Sequence, residues 1–120
     1  MAQAAMLSAE AHEAPAIDRA HLKQMTFGNR DLERELLELF DRQAEILLAR
    51  MRASDAAVLA SLAHTLKGSA LGIGAGAVAR AAAEAEQSAS GAPAERTAAL
   101  GRLSAAIDAV RVEIAALLRT

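Results

Sequence analysis

The chain has 120 residues, enough for one compact domain and too few for two. A net charge of −2 without any cluster of Lys and Arg argues against nucleic acid as a partner, and the absence of cysteine excludes disulfides and thiolate metal sites. Hydrophobic residues make up 53% of the chain but aromatics only 2%, so the core must be built from Leu, Ile, Val, Met and Ala, which favours closely approaching helices.

Residues 1–15 are rich in Ala, Gln, Glu and His and end at Pro15. They read as a flexible tail ahead of a helical domain over residues 16–120. A short helix is predicted from about Ala16 to Met25, with Ile17, Ala20 and Leu22 available to pack; Gly28-Asn29 is the turn signal that ends it. The second helix spans about Arg30 to Arg52, with Asn29 as N-cap and Asp31 and Glu33 in the first turn. Its stripe is Leu32, Leu36, Phe40, Leu47 and Met51, widened by Leu37, Leu39 and Leu48. Ser54 is expected to open the third helix, with Asp55 in its first turn and Val58, Leu59, Leu62, Leu66, Ala70 and Ile73 buried.

The third helix fades into Gly72-Ile73-Gly74-Ala75-Gly76, read as a helix end and loop; without a following Gly-Lys-Ser/Thr it is no nucleotide-binding loop. A fourth, alanine-dominated helix covers about Ala77 to Ser88. Ser90-Gly91-Ala92-Pro93 is a turn, and Pro93 suits the first turn of the last helix. That helix carries Leu100, Leu103, Ile107, Val110, Ile114 and Leu117 at steps of three and four. Nothing alternates with period two, so no strand is predicted. The expected fold is all-α, an antiparallel four-helix bundle with a short extra N-terminal helix, because the connections are short. No apolar run is read as reaching the roughly 18 residues of a membrane span. The N-terminal residues lack the basic start and leucine-rich core of a signal peptide, so a cytoplasmic protein is expected.

The informative stretch is His64-Thr65-Leu66-Lys67-Gly68-Ser69-Ala70. At about 100° per residue, Lys67 and Gly68 lie within roughly 60° of His64, one turn on. A nucleophilic imidazole thus shares a polar face with a cation and a bare patch of backbone. An acceptor on the Nδ1 proton would leave Nε2 free to attack phosphorus, and a carboxylate there would also stabilise the positive charge that phosphorylation creates. The next helix offers Glu84, Glu86 and Gln87 for that place. Lys67 would stabilise phosphoryl oxygens. Gly68 costs about 1 kcal/mol in a helix interior relative to alanine, which makes sense if a partner must approach closely. Ser69 reads as a small packing residue. His12 and His21 have no such context and are expected to be solvated, and no His pair has zinc-site spacing.

At these residues the sequence resembles the histidine-containing phosphotransfer (HPt) domain family. The motif His-x-Leu-Lys-Gly-Ser/Ala stands here as His64-Thr65-Leu66-Lys67-Gly68-Ser69. A hydrophobic-Gly-Ala step follows as Ile73-Gly74-Ala75, then an apolar helix ending in Glu86-Gln87. Upstream, Leu36-Leu37-Glu38-Leu39-Phe40 is similar to the family's Leu-x-x-Phe stretch. The fourth helix departs from the pattern, with Val78, Ala82 and Ala85 where bulkier aliphatics are common. The resemblance covers about residues 16–118.

The resemblance implies a phosphorelay carrier. His64 would accept a phosphoryl group from a receiver-domain aspartate and pass it to another response regulator. Glu86 would be the imidazole Nδ1 partner, Lys67 would support the phosphate, and Gly68 with Leu71 would form the docking face. The chain would be an intermediate rather than an autonomous kinase, a monomer with no cofactor of its own and no metal site. Mg²⁺ is expected on the partner receiver domain. Two other readings stand beside this one. A non-catalytic helical adaptor would keep its activity without His64. A histidine kinase's dimerisation and phosphoacceptor domain would show an acidic residue after the histidine and a proline soon after, where this chain has Thr65 and no proline between Pro15 and Pro93.

Overall fold

The computed structural model describes residues 15–120, so the predicted tail lies, but for Pro15, outside the described residues, as does His12. Among the described residues there are five helices and no strand: α1 (Arg19–Met25), α2 (Arg30–Arg52), α3 (Ala56–Ile73), α4 (Gly76–Ser88) and α5 (Pro93–Leu118). The four long helices close a ring, α3 packing on α4, α4 on α5, and α2 on both α3 and α5, while α1 lies against α3. Arg34 donates to the Leu118 carbonyl and Arg111 to Asp41, so α2 and α5 run in opposite directions. The 2.8 Å bond to Asp41 also raises the pKa of the Arg111 guanidinium.

Local chemistry sets most helix ends. Asn29 caps α2, its side chain accepting from the Leu32 N–H, and Pro93 opens α5. The cap of α3 is Asp55 rather than Ser54: Asp55 Oδ1 accepts from the Val58 N–H, while the Ser54 hydroxyl turns back to the Arg50 carbonyl. A carboxylate is the better acceptor at the positive end of the dipole. The first helix starts at Arg19, later than expected. Residues 16–18 lead into it, and Asp18 caps it through the His21 N–H. The predicted glycine loop is shorter than read, because α3 continues through Gly72 to Ile73 and α4 already starts at Gly76.

The core is aliphatic, with Leu37, Met51, Leu59, Leu66, Leu103, Ile107 and Ile114 almost wholly buried. Several expectations fail at its edge. Val58 and Leu39 are exposed, since the apolar arc of each helix is wider than the contact it makes. Ala20 is exposed as well, leaving Ile17 and Leu22 as the buried anchors of the N-terminal segment. His21 is half-buried rather than solvated, and its Nε2 is covered with no hydrogen-bond partner among the described residues. By length and composition α3 is apolar enough to cross a membrane, against expectation. It is nevertheless a core helix here: Leu59, Leu62, Ala63, Leu66, Ala70 and Ile73 are buried in the domain.

The N-terminal segment is tied down by contacts far away in sequence. The Ile17 N–H donates to Glu113 Oε2 on α5 at 2.6 Å, and the Asp18 N–H to the Gly74 carbonyl at 2.9 Å. Gly74 closes α3 in the left-handed conformation, with φ 80°, and a Cβ there would stand 2.9 Å from the Asp18 carbonyl oxygen. Gly74→Ala therefore combines left-handed strain with a backbone clash. It should lower stability by about 1–3 kcal/mol, measured as a lower denaturation midpoint at unchanged m.

Candidate functional site

His64 lies midway along α3 and points outward, its side chain 69% exposed. Leu62, Ala63 and Leu66 anchor the same turns in the core, which fixes the face the imidazole occupies. The adjoining helix is built from small residues. Ala79, Ala82 and Ala85 on α4 are buried, as are Ala63 and Ala70 on α3, and the α3–α4 contact is the most extensive in the domain. Small side chains permit a close approach of the two backbones. Ala82 and Ala85, two of the three residues that depart from the family pattern, belong to this set of buried small residues.

That side chain is Glu86. Its Oε2 lies 3.2 Å and its Oε1 3.4 Å from His64 Nδ1, with the carboxylate about one-third exposed. With Nδ1 protonated, the ring donates to Glu86 and Nε2 is left with its lone pair. Glu84 is turned about 160° away around the helix and pairs instead with Arg102 of α5 at 2.9 Å. Gln87 is exposed and makes no hydrogen bond to His64. Of the three α4 side chains that the sequence offers, Glu86 is the one within hydrogen-bond distance of His64.

Lys67 is half-buried one turn from His64, with no carboxylate among the described residues at ion-pair distance. Thr65 bonds back to the Ser61 carbonyl and takes no part in the constellation. Gly68 is exposed within the helix, and a Cβ there would meet nothing within 4 Å. Packing inside the chain does not require that glycine; Gly101 in α5 is equally open, and nothing in the structure explains it. Leu71 is 54% exposed and about 20° around α3 from His64, two turns on. Histidine, open glycine and exposed leucine thus form one outward strip, flanked by Glu86 and Lys67. Residue spacing alone did not show that Met25 of α1, Leu36 and Leu39 of α2 and Ser69 and Gly72 of α3 line one apolar groove, because that needs the register of three helices.

The family model of the Hpt domain matches residues 31–118. The chain belongs to the Hpt domain family. The match covers α2 to α5 and leaves out the short α1. Among solved structures, the histidine-containing phosphotransfer protein HptB of Pseudomonas aeruginosa PAO1 is similar at 26% identity and a TM-score of 0.80, covering 90% of this chain and 99% of its own. A putative histidine-containing phosphotransfer protein from rice shares the fold at 18% identity and a TM-score of 0.79, covering 97% of this chain and 88% of its own. No curated relative matches the chain by sequence.

Proposed function

We propose that this Hpt domain is a phosphorelay carrier in which His64 Nε2 takes a phosphoryl group from the aspartyl phosphate of a receiver domain and hands it to another response regulator. The observation that carries the reading is the exposed imidazole held at Nδ1 by Glu86, beside an open helical glycine. In transfer, the Nε2 lone pair forms the N–P bond as the P–O bond to the aspartyl carboxylate breaks. The proton on Nδ1 stays between His64 and Glu86. Phosphorylation leaves the ring cationic, and the carboxylate faces that charge. The Lys67 ammonium sits one turn away, where it stabilises the phosphoryl oxygens. Positioning and charge are what such a loose transition state requires. Mg²⁺ belongs to the receiver's acidic pocket, and this chain needs no cofactor of its own.

The ring of contacts supports an antiparallel four-helix bundle with α1 as an addition. A cytoplasmic monomer that docks through Gly68 and Leu71 is the state this reading expects, with neither nucleic acid nor membrane as partner. Incubation with a phosphorylated receiver domain should yield acid-labile, base-stable label that His64→Gln does not take up. Label that survives the substitution, or none from a panel of receivers, would overturn the reading. Glu86→Gln keeps an acceptor for Nδ1 and removes the charge. Because the pair is substantially exposed, the equilibrium should move toward the phosphorylated receiver by only about two- to fivefold, read as the partition of label at equilibrium.

A further inference from the structure

A cavity of about 520 Å³ opens between the exposed face of α1, the start of α2 and the end of α5. That volume falls within the range of small-molecule pockets. Arg19 and Lys23 of α1 and Arg30 of α2 line it, Ala20 and Leu117 add apolar wall, and Glu33 is its one acidic side chain. No wall comes from α3 or α4, so the cavity lies apart from His64 and Glu86. No run of the sequence concentrates these cations; the fold brings them together.

Helix electrostatics disfavours this arrangement twice. Lys23 suits the last turn of α1, but it stands four residues from Arg19, a like-charge spacing that destabilises a helix. Arg30 is the first residue of α2, at the positive end of the dipole, where a cation is unfavourable. Among the described residues, none of the three lies at ion-pair distance from a carboxylate, whereas Arg102 pairs with Glu84 and Arg111 with Asp41 and Glu45. The end of α5 does not call for them either, because Arg34 already donates to the Leu118 carbonyl. In a chain of net charge −2, three converging cations therefore repel one another with no acidic partner among the described residues. Local rules broken together at one cavity are the mark of a functional site.

We propose that this cavity binds a small anion carrying two or more phosphoryl groups, held by Arg19, Lys23 and Arg30. Two guanidinium forks match phosphoryl oxygens, and the ammonium adds a compact point charge. Three positive charges against the single Glu33 favour a multiply charged anion over a lone carboxylate. Ala20 and Leu117 give an apolar wall to the rest of an organic phosphate. Bound there, such an anion stabilises the folded domain by mass action without covering the face that carries His64.

Inorganic pyrophosphate, titrated at constant ionic strength and without divalent metal, tests the site. Backbone amide NMR signals of Arg19, Lys23, Gly28 and Arg30 should shift saturably, and those of Arg50 and Arg52 at the other end of α2 should not. Arg19→Gln and Arg30→Gln should each weaken binding about tenfold, while His64→Gln and Lys67→Gln should bind as the wild type does. Without pyrophosphate, the two arginine variants should be at least as stable as the wild type, because each relieves an unfavourable charge. Saturating pyrophosphate should raise Tm of the wild type and of His64→Gln, and raise it less in either arginine variant. The absence of a saturable shift would overturn the proposal, as would shifts centred on His64 and Lys67. Arginine variants that bind pyrophosphate like the wild type would overturn it too. So would arginine variants that lose stability without ligand, since the cations would then serve the fold. No outcome involves a receiver domain, so this site can fail while the phosphorelay reading stands.

Discussion

Gly68→Gln should reduce receiver-dependent transfer to His64 by about 100-fold or more while leaving the fold intact. The new side chain would enter open space, with nothing among the described residues outside its own helical turns within 4 Å of its Cβ, so no internal clash destabilises α3. Glutamine is also a better helix former than glycine, and thermal stability should hold or rise slightly. Gly68 lies about 40° around α3 from His64, so the added atoms stand where the receiver's phosphoaspartate must arrive. Displacing reacting groups by even 1 Å costs about 100-fold in rate. Stopped-flow or quenched transfer from a phosphorylated receiver reads the effect. Phosphoramidate labelling, which needs no close approach of another protein, should change little. A glutamine variant that transfers at the wild-type rate would remove docking as the reason for this glycine.

Leu66→Ala should have the largest effect on stability. Leu66 is fully buried on the side of α3 opposite the imidazole and anchors the turn that holds His64 and Lys67. Truncating a buried leucine costs about 2–5 kcal/mol, according to how far the cavity relaxes. A domain of this size is stable by only about 5–15 kcal/mol, so denaturant unfolding should show a large drop in midpoint. Transfer measured well below the new midpoint should retain much of its rate, because Glu86 still holds the ring. A loss below about 1 kcal/mol would mean that α3 is not seated as described.

The long helices were legible because aliphatic residues recur at steps of three and four, and because Asn29 and Pro93 mark helix starts. The chemical motif was legible from the short run around His64. Choosing Glu86 over Glu84 was not possible from these residues alone without the family resemblance. Both lie on one short helix, and only its rotation against α3 and α5 sends one to His64 and the other to Arg102. The exposure of Leu39 and Val58 was hidden for a related reason, since a hydrophobic arc does not record how wide a neighbour will cover it. The bond from the Ile17 N–H to Glu113 joins residues 96 apart and has no local signature. The left-handed Phe27 contradicts local preference, which assigns that conformation to Gly28 alone.

The phosphoryl group is expected to ride on Nε2 of His64, with Nδ1 committed to Glu86. Phosphorus NMR of the protein labelled by a phosphorylated receiver domain tests it most directly. One phosphohistidine signal of the Nε2 isomer is expected, absent from His64→Gln. An Nδ1 isomer, or a signal that persists without His64, would contradict it.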